Sequence, residues 1–160
     1  VSSLVSSKVV AIVFIAIIVV SGLLYFQATR EKEAIQRLEM KIVDVSVTRL
    51  GLSGSDITIR LKIVNPSDYD TPIFWINNYS IYINGELVGT GSMPPTRVVA
   101  KSSIYQDLTM TVEYSKLSKA LINAILMGKL QVEIKGEIKG KILFGLLEVS
   151  TSFTSTYSLG

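Results

Sequence analysis

Residues 9–26, VVAIVFIAIIVVSGLLYF, run for 18 positions without a charge. As a helix rising about 1.5 Å per residue, this run covers about 27 Å, close to the hydrocarbon thickness of a bilayer. A helix buried in a soluble protein keeps one polar face for water, and this one has none. It therefore needs lipid or other apolar helices around it. Tyr25 and Phe26 close the run, where aromatic side chains favour a membrane–water boundary. A signal-peptide core is shorter and ends in small residues; Ser21-Gly22 offers such a pair, but the apolar run continues past it.

The following stretch, QATREKEAIQRLEM, has no Pro or Gly and consists mostly of strong helix formers. Glu33 and Arg37 stand at i,i+4 in the favourable order. Ala34, Ile35 and Leu38 form a partial apolar stripe. The spacing predicts one continuous helix from about Ser3 to about Met40. Such a helix positions whatever follows it, where a Gly/Ser linker would merely tether it. The expected organisation is a hydrophobic membrane or assembly helix over residues 1–40 and a β domain over 41–160.

Beyond Lys41 the apolar period changes to two. Val43, Val45 and Val47 alternate with polar residues, as do Ile57, Ile59, Leu61 and Ile63. The same holds for Leu108, Met110 and Val112, and for Leu130, Val132, Ile134 and Ile138. Strands with one dry and one wet face belong to antiparallel sheets packed as a sandwich. Asn65-Pro66-Ser67-Asp68 ends the second strand, because Pro cannot donate to a central ladder. Asn84-Gly85 marks a type I′ hairpin. Met93-Pro94-Pro95 reads as a crossing between strands, and Gly136 with Gly140 as a bulge or hairpin around residues 137–141. Ser115 is the expected cap of a short helix over residues 116–127, stopped by Gly128. The expected fold is thus a long N-terminal hydrophobic α-helix plus an all-β, immunoglobulin-like antiparallel sandwich with one short helix.

The composition removes most chemistry. The chain has 160 residues, no His and no Cys, so imidazole bases, thiol nucleophiles, thiolate metal sites and disulfides are absent together. Sixteen basic and 13 acidic residues are interspersed, without the clustered stripe of a nucleic-acid binder. Asp44, Glu113, Glu133 and Glu137 sit at outward strand positions, and Glu31, Glu33 and Glu39 on the exposed helix. Asp68-Tyr69-Asp70 lacks the ligand spacing of a calcium loop. Gly89-Thr90-Gly91 precedes no helix and so makes no phosphate loop. Trp75, beside Phe74, reads as packing between the sheets. Asn78-Tyr79-Ser80 is an N-glycosylation sequon, with Asn78 as acceptor. The expectation is a non-enzymatic protein with no catalytic, cofactor or metal site, and no small-molecule substrate or nucleic acid as partner.

An ordered set of features points further. Residues 57–63 run into Val64-Asn65-Pro66. A tyrosine-bearing strand, Tyr79-Ser80-Ile81-Tyr82-Ile83, closes on Asn84-Gly85 and is followed by Val88-Gly89-Thr90-Gly91. A helix then precedes the last strand pair. In this the domain resembles the LEA14-like family, the late-embryogenesis-abundant group 2 or water-stress and hypersensitive-response (WHy) domain. The resemblance covers about 115 residues and implies a β-sandwich with one helix, no catalytic residues to transfer, a protective or binding role, and frequent membrane attachment.

The layout of the whole chain is similar to that of an archaeal type IV pilin: an apolar helix almost at the start, continued into solvent, then a β-sandwich. On that likeness the expected function is a structural subunit of a pilus-like filament at the extracellular cell surface. Its homo-oligomer would form through a helix bundle, with Ile12, Phe14, Ile15, Ile18, Val19 and Leu23 meeting neighbouring helices. Ser2, Ser3, Ser6 and Ser7 suit close helix packing. The alternative is a single-pass membrane-anchored LEA14/WHy-like protein. The opening Val1 reads either as an alternative start or as an end left by a cleaved leader. Arg30, Lys32, Arg37 and Lys41 follow the apolar run and only Lys8 precedes it. The positive-inside rule then puts the domain in the cytoplasm if Val1 is the start, and outside if a charged leader came before it.

Overall fold

The computed structural model describes residues 6–160. The expected helix start at Ser3 and both readings of Val1 lie outside them. Helix α1 spans Ser7–Gln36, and the Ser6 side chain caps it by accepting from the Val9 N–H. It ends four residues before the expected Met40. Leu38 and Met40 are buried, and Glu39 already pairs with Val64. Burial and strand pairing thus override a strong local helix preference.

Seven strands follow: β1 Glu39–Leu50, β2 Gly54–Asn65, β3 Phe74–Ile83, β4 Glu86–Thr96, β5 Ser102–Glu113, β6 Leu130–Ile142 and β7 Leu147–Leu159. They form a three-stranded sheet, β1-β2-β5, facing a four-stranded sheet, β4-β3-β6-β7, and every pairing is antiparallel. Ile57, Ile59, Leu61 and Ile63 of one sheet meet Phe74, Ile76, Ile81, Ile134 and Ile138 of the other, all essentially inaccessible. Each such side chain contributes about 1.5–3 kcal/mol by leaving water. The edges β1 and β7 touch along one side of the sandwich, where the Ile42 N–H donates to Ser155 Oγ.

Several local expectations change. A bulge between Ile42 and Asp44 breaks the alternation of β1, so Ile42 and Val45 point inward while Val43 is 38% exposed. Met93-Pro94-Pro95 lies within β4 and is no crossing; β4 is an edge strand, where missing N–H groups are tolerated. The short helix α2 spans Lys119–Met127, capped by Ser118 instead of Ser115, with Gly128 in the left-handed region at φ 68°. A single 3₁₀ turn, Tyr114–Lys116, precedes it.

Gly136 and Gly140 mark no hairpin, and β6 runs straight through both. A Cβ on Gly136 would lie 2.7 Å from the Phe153 ring, and one on Gly140 would lie 2.9 Å from Ile35 Cδ1. These glycines are small because side chains pass over them. The second case matters for architecture. Ala34 and Ile35, in the last turns of α1, are fully buried, and Ile35 joins the core of the sandwich. The helix is therefore a rigid continuation of the domain.

Candidate membrane-proximal site

The strand directions define two ends of the domain. α1 enters at the start of β1, which pairs with the end of β2, so the 66–73 connection lies at this proximal end. Phe74 pairs with Gly140 and Thr96, which brings the β4–β5 connection and the β6–β7 turn to the same end. The Asn84-Gly85 turn, the β1–β2 turn and α2 lie at the distal end.

At the proximal end a groove of about 780 Å³ opens between the helix exit and the loops. Gln27, Arg30 and Glu31 form its helical wall, Tyr69 to Ile73 and Trp75 its floor, and Arg97, Lys141 and Phe144 its rim. Arg30 lies with its guanidinium carbon 4.0 Å from the centre of the Tyr69 ring and 5.3 Å from that of Phe26. This cation–π stacking ties the aromatic end of the apolar run to the domain.

Asn65 holds the floor. It is fully buried, and its amide donates to the carbonyls of Tyr69 (2.7 Å) and Val98 (3.1 Å). Its Oδ1 accepts from the N–H and the hydroxyl of Ser67. Thr71 exchanges hydrogen bonds with the backbone of Val98, and Asp70 accepts from the Ala100 N–H. The Asn-Pro pair thus does more than end a strand. Its Asn bridges two crossing loops, adding a second donor to the carbonyls of Tyr69 and Val98 and giving the buried Ser67 N–H its acceptor.

The β6–β7 turn, residues 143–146, reads Leu-Phe-Gly-Leu. Leu143, Phe144 and Gly145 have φ of 51°, 58° and 87°. Left-handed backbone suits Gly, but in bulky residues it costs about 1–2 kcal/mol each. Phe144 is 86% and Leu146 80% exposed. The Leu143 N–H donates to Glu31 Oε2 at 2.8 Å, which clamps the turn to α1.

Other expected residues fall elsewhere. Ile12, Phe14, Ile15, Ile18, Val19 and Leu23 are between 53% and 66% exposed on α1, and the domain covers none of them. Asn78 is exposed where the β3 ladder shifts register between Ile76 and Tyr79. Trp75 does not pack between the sheets. Period two sends Phe74 into the core and leaves Trp75 half-buried on the outer face, over the groove. Glu31 is half-buried against the turn and is no free surface acid. Among the described residues no group of three or more acidic side chains is placed to hold a metal ion. Asp68 instead pairs with Lys101.

The family model of LEA_2, late embryogenesis abundant protein, matches residues 60–154, more than half of the chain. The chain matches no curated protein. The solution structure of the Arabidopsis thaliana protein AT1g01470 overlays with a TM-score of 0.55 at 20% identity, over 75% of this chain and 79% of that one. It supports the sandwich fold. A crystal structure of a protein from Archaeoglobus fulgidus is 21% identical over 76% of this chain and 94% of its own, with a TM-score of 0.43.

Proposed function

This chain belongs to the late embryogenesis abundant LEA_2 family, and on that premise we propose that it is a single-pass membrane-anchored protein that displays a binding or protective β-sandwich at the bilayer surface and catalyses no reaction. One observation carries the reading. The apolar part of α1 is uncovered on all sides, while the last turns of the same helix are buried in the domain core. Ala34 and Ile35 are part of the fold, so the helix joins the apolar run to the domain without a flexible linker. An apolar helix of this length needs a bilayer or a bundle to cover it.

The filament expected from the sequence rests on the same exposed helix and draws nothing from the domain. Family membership favours the anchor. The test is fractionation of cells producing the chain. The protein is expected in the membrane pellet after alkaline carbonate washing, and Ile15→Lys/Ile18→Lys is expected to shift to the soluble fraction with its β circular dichroism unchanged. Release of the unmodified chain by carbonate would refute anchoring. Filaments in negative-stain micrographs of surface material, lost in the same double variant, would restore the bundle.

A further inference from the structure

On the anchored reading above, we infer that the β6–β7 turn is a second membrane contact, dipping Phe144 and Leu146 into the same bilayer interface from which α1 emerges.

The composition of the turn is the first reason. Turns reversing a chain normally use Asn, Gly or Asp at left-handed positions, and this one uses Leu143 and Phe144. Two disfavoured features coincide: strained backbone at bulky residues, and apolar side chains presented to water. Strain of this kind persists where a function holds it, and a bilayer interface removes the cost of the exposure.

Position is the second reason. The clamp at Glu31 lies five residues beyond Phe26, about 7.5 Å along the helix axis. Phe144 reaches back to share a groove with Gln27, and Leu147, itself half-exposed, shares another with Tyr25. The turn thus lies beside the stretch of α1 that directly follows its apolar run. Elements lying in the interface bury their apolar side about 5–10 Å into the headgroup and acyl boundary.

Charge is the third. Arg30, Arg97 and Lys141 line the groove that holds Phe144, Lys32 lines the neighbouring groove with Leu147, and none of the four has an ion-pair partner among the described residues. Of the acids nearby, Asp68 is paired by Lys101 and Glu33 by Arg37, while Glu31 and Asp70 accept backbone N–H groups and keep their charge. Glu148 stands opposite Lys141 in the β6–β7 ladder. Lys32, Arg97 and Lys141, with Arg30 stacked on Tyr69 and Phe26, are cations near an apolar tip, and such cations suit a surface of anionic phospholipid.

The chain has no Cys, so a single introduced thiol reports one site. The full chain, as Phe144→Cys or Leu146→Cys labelled with an environment-sensitive fluorophore, is reconstituted into phosphatidylcholine/phosphatidylglycerol vesicles. Leu52→Cys, on the exposed distal turn, is the reference. Flotation of the vesicles reads the anchor independently. Floating protein with blue-shifted label emission at residue 144 or 146, quenched at least about threefold more than at residue 52 by interface-level spin-labelled lipid, is the expected result. Floating protein whose labels at both 144 and 146 match residue 52 would overturn the inference and leave the anchor standing. Protein that fails to float would overturn the anchor and this contact with it.

Discussion

The two ends of the sandwich are built by different rules. At the distal end local residue chemistry suffices. Asn84 and Gly85 adopt φ of 50° and 84° at the β3–β4 turn, Ser118 caps α2, and Gly128 ends it in the left-handed region. Each residue prefers the conformation it holds. At the proximal end the residues oppose their conformations. Leu143 and Phe144 take the left-handed region, and a Glu carboxylate from the helix clamps the turn. A buried Asn ties two loops together, and Ile35 lies over Gly140. The distal end caps a fold, whereas the proximal end holds a domain at a defined distance from an apolar helix.

The strongest way to break this contrast is at Ile35. Ile35→Ala is expected to lower unfolding stability by about 3 kcal/mol, since a fully buried aliphatic side chain would leave a cavity at the helix–sheet junction. Chemical denaturation of the whole chain in detergent checks it, with Leu126→Ala, on the half-exposed face of distal α2, as the small-effect control. Asn65→Ala comes next, at about 2 kcal/mol, because the buried Ser67 N–H loses its acceptor and the carbonyls of Tyr69 and Val98 each lose one of two donors. Hydrogen exchange should show the loss of protection concentrated in the two proximal loops; a loss spread evenly to the Asn84-Gly85 turn would contradict a local role.

Phe144→Asn runs the other way. Asn tolerates the left-handed region, so the variant is expected to gain about 0.5–1 kcal/mol in detergent while weakening the proposed interface contact. Unchanged or lower stability would argue that the turn is not strained. The smallest effect concerns Tyr79, in the middle of β3. Burial pushes its phenol above the usual value of 10.0. The folded state therefore holds this proton more tightly than the unfolded chain. The associated stability is complete below pH 10 and is lost as pH rises through the folded-state value. Tyr79→Phe should flatten the alkaline limb of a stability-against-pH curve, affecting both ends alike.

Legibility followed the same division. The alternation of Ile57, Ile59, Leu61 and Ile63 placed all four in the core, and Asn84-Gly85 marked a turn that the structure contains. The Asn-Pro pair was readable as the end of β2, but the loop-bridging role of Asn65 was not, since its partners at Val98 come from far along the chain. Residue type favours the core for Trp75, but strict alternation from Phe74 turns it outward. The bulge that exposes Val43 leaves no mark in the pattern of β1. The turn at residues 143–146 carries turn chemistry at Gly145 alone, while Gly136 and Gly140 read as a bulge or hairpin; the β3–β6 register does shift beside Gly136, but the chain reverses only at residues 143–146.

Residue order is enough to establish an uncharged helix that water cannot cover, a two-faced β domain beyond it, and the absence of His and Cys chemistry. These follow from period, charge and side-chain type, which act over a few neighbouring residues. Long-range contacts set the rest: where the helix ends, which glycines lie under side chains, that Glu31 grips the β6–β7 turn, and that Trp75 faces a groove. Those outcomes depend on residues as distant as Glu31 and Leu143 meeting in space, and pairing of that kind is a property of the assembled sheets that no local preference encodes.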